Sequence, residues 1–334
     1  MLQTARDMEP KKNETPLKKE ARGKKAPPHL QNGTILCGRL KIEKIMGGGG
    51  FGQVYKAINQ SNNQPVAIKV EPCDREAGRM ILEQKVLNLL RGTKHTPRLV
   101  ANGNHENFMY IAMEMLGRNL NDLRRRQLHK RFSLSTGLRA AVQMVEALKD
   151  IHAVSYLHRD VKPSNMCIGL GDKDKKTIFL VDFGMTRRFR TEKGEFRKSR
   201  TYAGFRGTLR YVSLTVHKRH DQGPKDDLWS LLYSIVEICE GSLPWRHIEE
   251  EEHMAQKKMR TPFEEMLVHL PGSIKEIADY LEPLPFDSMP NYELVSQIYS
   301  NAMPNDADVD GPLDWEALIP SSRSLELESE SKNN

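Results

Sequence analysis

The chain has little that would staple, anchor or repeat it. Its four cysteines, Cys37, Cys73, Cys167 and Cys239, are scattered and form no Cys-x-x-Cys pair. That excludes a zinc ribbon or a disulfide framework and reads as reduced thiols inside a cell. No apolar run approaches the roughly 20 residues needed to cross a bilayer. The opening MLQTARDMEPKKNETP lacks the hydrophobic stretch of a secretory signal. There is no internal repeat, which excludes a solenoid. The expectation is an intracellular protein, cytoplasmic or nuclear, with no membrane insertion and no specific nucleic-acid partner.

What is present is a globular balance, 38% hydrophobic and 28% charged over 334 residues, enough for two lobes around a sizeable core. The net charge of +7 is uneven, with eight Lys/Arg against four Asp/Glu in residues 1–30. That segment has almost no large apolar side chains and cannot offset its ordering entropy. A disordered basic tail is expected over 1–33 and a short polar tail over 319–334, leaving 34–318 to fold.

From Arg39 to about Glu71 the pattern has the two-residue period of strands, with Leu40 and Ile42, Gln53 to Ile58 and Pro65 to Val70 alternating. Beyond Ser133 the period becomes helical. Leu138, Val142, Val145, Leu148 and Ile151 follow a serine-rich start suited to a cap, and LWSLLYSIVEIC, opened by Asp227, is apolar nearly all round. A small β-rich part followed by a larger helical part is expected.

Between the first two strands lies Gly47-Gly48-Gly49-Gly50-Phe51-Gly52-Gln53-Val54, a fit to G-x-G-x-x-G-x-V with glycines at 47, 49 and 52. Lacking Cβ atoms, such a turn can bring N–H groups close to phosphate oxygens. A flexible hairpin fits the glycines equally well by itself. A dinucleotide-binding turn needs a helix directly afterwards, whereas Gln53 onward reads as strand. In Val66-Ala67-Ile68-Lys69, alternation places Ala67 and Lys69 on one face and Val66, Ile68 and Val70 on the other. Glu83 falls within the apolar stripe of Met80, Val86, Leu87 and Leu90 on the next helix. A carboxylate there needs a partner, and Lys69 is the candidate.

His158-Arg159-Asp160-Val161-Lys162-Pro163-Ser164-Asn165 and Val181-Asp182-Phe183-Gly184 complete the set, separated by two short apolar runs around GLGDKDKK that read as a hairpin. These are H-R-D-x-x-x-x-N and D-F-G in the order phosphoryl transfer uses. Asp160 suits a base for a substrate hydroxyl, Lys162 a screen for the γ-phosphate of ATP, and Asn165 and Asp182 are hard oxygen ligands for Mg2+.

With these motifs in register the sequence resembles the eukaryotic protein kinases over about residues 34–318. Within them it is most similar to the tau-tubulin kinase branch of the casein kinase 1 group. The marks are Leu-Gly-Arg-Asn-Leu (116–120), Gly-Phe-Arg-Gly-Thr-Leu-Arg-Tyr (204–211), Asp-Asp-Leu-Trp-Ser-Leu (226–231) and Leu-Pro-Trp-Arg (243–246). The resemblance implies an α+β bilobal fold, a small N-lobe (34–116) over a larger, mainly helical C-lobe (117–318), with MgATP in the cleft and Ser/Thr as acceptor. It implies that Met113 is the gatekeeper, that the Glu114 and Leu116 backbones hold adenine, that Val54 and Ala67 pack on it, and that Asp227 braces the catalytic loop.

Departures accompany the matches. Val212-Ser213-Leu214-Thr215 stands where most kinases have Ala-Pro-Glu, a feature the casein kinase 1 group shares, although its tau-tubulin branch usually has Asn at Leu214-Thr215. Met185-Thr186 replaces the usual Leu-Ala after Asp-Phe-Gly. In that group an anion pocket uses an arginine equivalent to Arg210 and a lysine where this chain has Glu249. Between Met185 and Arg206 eight basic residues face only Glu192 and Glu195. The expected substrates are proteins with acidic or phosphorylated contexts, cytoskeletal ones among them, and with reduced dependence on priming. The enzyme is expected to be a monomer. The second reading is a catalytically weak scaffold that keeps the fold. The presence of Lys69, Glu83, Asp160, Lys162, Asn165 and Asp182 favours the enzyme.

Overall fold

The alternation that opens the folded region builds a sheet with one dry face and one face on a cleft. The computed structural model describes residues 28–49, 52–73, 78–305, 308 and 310–318, and most of both expected tails lies outside them. Six strands, β1 (Ile35–Leu36), β2 (Leu40–Gly49), β3 (Gly52–Asn59), β4 (Gln64–Pro72), β5 (Leu99–His105) and β6 (Phe108–Glu114), form one antiparallel sheet in the order β1-β2-β3-β4-β6-β5. Tyr55, Ala57, Val66, Ile68 and Val70 pack a small core on its dry face. The other face presents Val54, Ala67 and Lys69 to the cleft, as the strand period requires.

Packing begins before the expected boundary at residue 34. Leu30 is buried in the small core, its N–H donates to the Tyr55 hydroxyl at 3.1 Å, and the His29 N–H donates to Gln53 Oε1 at 2.8 Å. The large leucine side chain supplies apolar area worth burying.

Helix α1 (Gly78–Leu89) links β4 to β5 and buries Met80, Glu83, Val86 and Leu87. These apolar residues join the larger core below rather than the core of the sheet. That larger lobe carries α2 (Leu120–Arg124), α3 (Leu134–Ala153), α4 (Leu214–His217), α5 (Pro224–Glu240), α6 (Glu251–Arg260), α7 (Lys275–Leu281) and α8 (Tyr292–Asn301). Short strands lie between α3 and α4. β7 (Tyr156–Leu157) pairs with β10 (Arg187–Arg188), and β8 (Met166–Ile168) pairs with β9 (Ile178–Leu180) as the expected hairpin.

Ser133 caps α3, its hydroxyl accepting from the Thr136 N–H. The cap is itself held from far along the chain, because Asp314 accepts from the Ser133 N–H (2.6 Å), the Ser133 hydroxyl (2.8 Å) and the Thr136 hydroxyl (3.0 Å). Beside it the Trp315 side chain is fully buried. Helix α5 runs through the lobe centre with Leu228, Leu231, Leu232, Ile235, Val236 and Ile238 all buried. It starts at Pro224, three residues before Asp227, because proline fits the first helical turn and Asp226 accepts the Gly223 N–H at 2.7 Å. No helix among the described residues is long and apolar enough to cross a membrane.

Candidate active site

The cleft between the lobes encloses about 290 Å³. Met46, Gly52 and Val54 form its roof, Ala67 and Lys69 one wall, and Cys167, Val181 and Asp182 the opposite side. The segment leaving β6, Met113 to Gly117, closes the back. Here the backbone leaves its sheet and offers N–H and C=O groups to a ligand. A flat apolar slot with a few polar groups at one end suits a heteroaromatic base with a charged tail.

That charged end is built by Lys69. Its Nζ donates to Glu83 at 2.6 Å and to Asp182 at 3.0 Å. Burial by itself would discharge the ammonium, but Glu83 and Asp182 outweigh it and hold Lys69 above the ordinary lysine range. Burial likewise pushes Asp182 upward, and Lys69 reverses this, holding the carboxyl below its usual range. Glu83 is 1% exposed; burial pushes its carboxyl up and the Lys69 ammonium opposes the shift. The sequence expectation of a buried pair is met because β4 turns Lys69 inward opposite the stripe of α1.

A second cluster lies on the loop after β7. Lys162 Nζ donates to Asp160 Oδ2 at 2.7 Å and to Thr208 Oγ1 at 2.9 Å. The Thr208 hydroxyl donates to Asp160 Oδ1 at 2.6 Å. Asn165 Nδ2 donates to the Asp160 carbonyl at 2.9 Å and to Oδ2 at 3.2 Å. From below, Asp227 accepts the His158 N–H at 2.7 Å and the Arg159 N–H at 2.8 Å, together with His152 Nε2 at 2.9 Å. Its carboxyl, against the effect of burial, is held below the usual range chiefly by His152. Arg159 and Asp182 have φ of +66° and +68°, conformations that non-glycine residues adopt only where surroundings enforce them.

The structure thus brings together Val54, Ala67, Lys69, Glu83, Met113, Glu114, Leu116 and Asp182 around the cleft, with Asp160, Lys162 and Asn165 in the adjoining cluster. Of the expected glycines, Gly52 lines the cleft, and Gly47 and Gly49 are paired in β2 with Val54 and Gly52. Thr208 carries no role in the sequence reading. It belongs to a quoted family mark, but nothing local to it signals a contact with Asp160, 48 residues away. Cys167, whose thiol burial pushes up to about 12, enters the cleft only because the β8–β9 hairpin folds under it.

The basic run after Met185 is less free than its count. Arg187 and Arg200 both bind the buried Asp221, at 2.9 and 2.6 Å. Arg190 lies over Phe189 and Phe196. Lys193, Arg197 and Lys198 are exposed. Arg210 binds the buried Glu237 at 3.2 Å, while Glu249 is exposed.

Comparison with known proteins agrees with this geometry. The protein kinase domain model matches residues 40–300. A Dictyostelium discoideum protein named as a probable serine/threonine-protein kinase is 37% identical over 293 residues, covering 87% of this chain and 59% of that protein. A Caenorhabditis elegans protein provisionally named casein kinase I is 42% identical over 258 residues, 76% of this chain and 75% of that one. A second C. elegans protein, provisionally named a serine/threonine-protein kinase, is 30% identical over 282 residues, 82% of this chain and 80% of its own.

Proposed function

The chain belongs to the protein kinase family, and from that premise we propose that it transfers the γ-phosphate of ATP to serine or threonine hydroxyls of proteins. The observation that carries this reading is that two polar clusters adjoin, their segments tied where the Val181 N–H donates to the Asn165 carbonyl at 2.9 Å. Lys69 ties Asp182 to Glu83, and Asp160 shares Thr208 with Lys162. Adenine fits between Val54 and Ala67 above and Cys167 below, against the backbone of Glu114 and Leu116. Lys69 aligns the phosphates.

Asp160 orients the acceptor hydroxyl and takes its proton as the oxygen bonds to the γ-phosphorus and the bond to the ADP oxygen breaks. Lys162 screens the negative charge on the transferring group. Asp182, held ionised, and Asn165, which uses its amide N–H on Asp160 and keeps its carbonyl oxygen as acceptor, form a hard-oxygen pair suited to Mg2+. Among the described residues no cluster of three His, Cys, Asp or Glu competes for a softer metal. When bound, Mg2+ neutralises charge on the β- and γ-phosphates.

The casein kinase 1 group, and its tau-tubulin branch, is the subgroup we assign, with acidic protein substrates inside the cell and little reliance on priming. Exposed Lys193, Arg197 and Lys198 support the acidic preference. Arg210, already paired with Glu237, supports weak priming, since a phosphate would have to compete with a buried carboxylate.

The test is phosphate transfer from MgATP to casein by the purified chain and its Lys69→Met variant. Transfer that vanishes in the variant supports the reading. Well-folded wild-type protein that neither binds ATP nor phosphorylates any acceptor overturns it.

A further inference from the structure

The segment that follows Thr208 is neither helix nor strand until α4, yet buried polar groups hold it along its length. Lys258, on α6 and 5% exposed, donates to the carbonyls of Leu209 at 2.9 Å and Val212 at 2.6 Å. Trp245 Nε1 donates to the Arg210 carbonyl at 2.9 Å. The Tyr211 hydroxyl donates to buried Glu237, and the Ser213 hydroxyl to Asp226 at 2.6 Å. The last residues of this segment, Val212 and Ser213, open the stretch that stands where most kinases have Ala-Pro-Glu.

Lys258 is an expensive choice for this place. Its ammonium lies 5.3 Å from the Tyr233 ring centroid and 5.4 Å from that of Trp245. No carboxylate pairs with it among the described residues, and burial pushes its amine down to about 7. Nearby His217 is held neutral down to about 4 by its own burial and by Lys258 and Arg219. A methionine would fill the same space without desolvating an amine. What lysine adds is two directed hydrogen bonds into one loop, starting at the residue after Thr208.

We propose that Lys258 is a positioning residue for phosphoryl transfer: by fixing the Leu209 and Val212 carbonyls it sets Thr208 against Asp160 and shapes the surface where the acceptor lies. The proposal rests on the kinase reading above. Lys258 reaches the reacting groups only through the loop, so ATP binding is independent of it.

The test compares Lys258→Met and Lys258→Arg with Lys257→Met, an exposed neighbour on α6. Steady-state transfer to casein, ATP affinity and amide exchange over residues 205–213 are measured on each. Lys258→Met is expected to lower kcat/KM for casein about tenfold or more, to leave ATP affinity within twofold, and to speed exchange in 205–213 about tenfold with α5 unchanged. Lys258→Arg, which keeps charge and donors, restores at least half of the activity.

Casein kinetics within twofold of Lys257→Met, with unaltered exchange, overturn the proposal, and so does a parallel loss of ATP and casein parameters. If Lys258→Met does not fold, the wild-type chain decides. The Tyr211 and Val212 amides must exchange as slowly as those of α5, and fast exchange overturns the clamp. A well-folded wild type that neither binds ATP nor phosphorylates any acceptor defeats the kinase reading, while exchange still tests the clamp by itself.

Discussion

Lys69 and Asp182 stand 113 residues apart in the chain and 3.0 Å apart in space. Through that contact the sheet of the small lobe reaches the start of the segment that leads to Thr208. The same ammonium holds Glu83, so three elements share one charge.

Replacing Lys69 therefore has two separable effects. Lys69→Met is expected to lower phosphate transfer at least a hundredfold. It also leaves Glu83 as a buried carboxylate with no cation, destabilising the chain by about 3 kcal/mol at neutral pH. Lys69→Met/Glu83→Met, measured by urea unfolding, should recover most of the stability and none of the activity.

Asp160 is expected to act in the chemical step. Asp160→Asn keeps shape and most hydrogen bonds but cannot take a proton, so kcat should fall on the order of 10²–10⁴ with ATP affinity preserved. Single-turnover transfer alongside nucleotide binding checks both halves. Near-normal turnover removes Asp160 as the base.

Gly207 has φ of +116°, and a Cβ there would stand 2.6 Å from Val212 Cγ1 and 2.7 Å from the Arg159 carbonyl. Gly207→Ala must push apart the catalytic loop and the segment beside Thr208. The expected outcome is a loss of about 1–3 kcal/mol in stability and a kcat lower by a factor of ten or more. Thermal melting and casein kinetics read the two.

Glu71 gives the pH prediction. It is 8% exposed, and burial, the largest cause, outweighs the pull of Lys69 and Arg79 and, with repulsion from Glu83 and Asp182, pushes its carboxyl up to about 7. The folded chain thus holds a proton that the unfolded chain releases near 4.5. Its contribution is full below that value and is lost as pH rises to about 7. Glu71→Gln, neutral throughout, should gain about 2 kcal/mol on wild type between pH 4.5 and 7.5 in urea unfolding. A constant difference across that range refutes the shift.

Much of the site can be read from local periodicity. The inward face of β4 follows from Val66 to Val70 alone, and Glu83 betrays itself as a carboxylate on an apolar stripe. Asp160, Asn165 and Asp182 are placed by motifs whose spacing is their chemistry. Contacts between distant segments leave no such trace. Nothing near Asp221 says that it takes up Arg187 and Arg200, 34 and 21 residues away, and this is why the basic run looks freer in sequence than in space. Gly47 is marked by its pattern, while its pairing with Val54 across the hairpin is a cross-strand register that the run of glycines does not specify. Leu30 lies beyond any periodic segment, and only the surface left open beside Tyr55 and Phe108 gives it a place.

The cap on α3 has a consequence for how the protein is made. Ser133 begins the helix that leads into the catalytic loop, and its partner Asp314 lies 181 residues later. A ribosome delivers the chain from its N-terminus, so Asp160, Asn165 and Asp182 are all synthesised well before the residue that holds this cap. Ser133 can cap α3 by itself through the Thr136 N–H, but the carboxylate that holds this cap is absent until Asp314 has been added to the chain. A truncation before Asp314 therefore leaves the cap residue and strips its support, a carboxylate that takes no part in the chemistry.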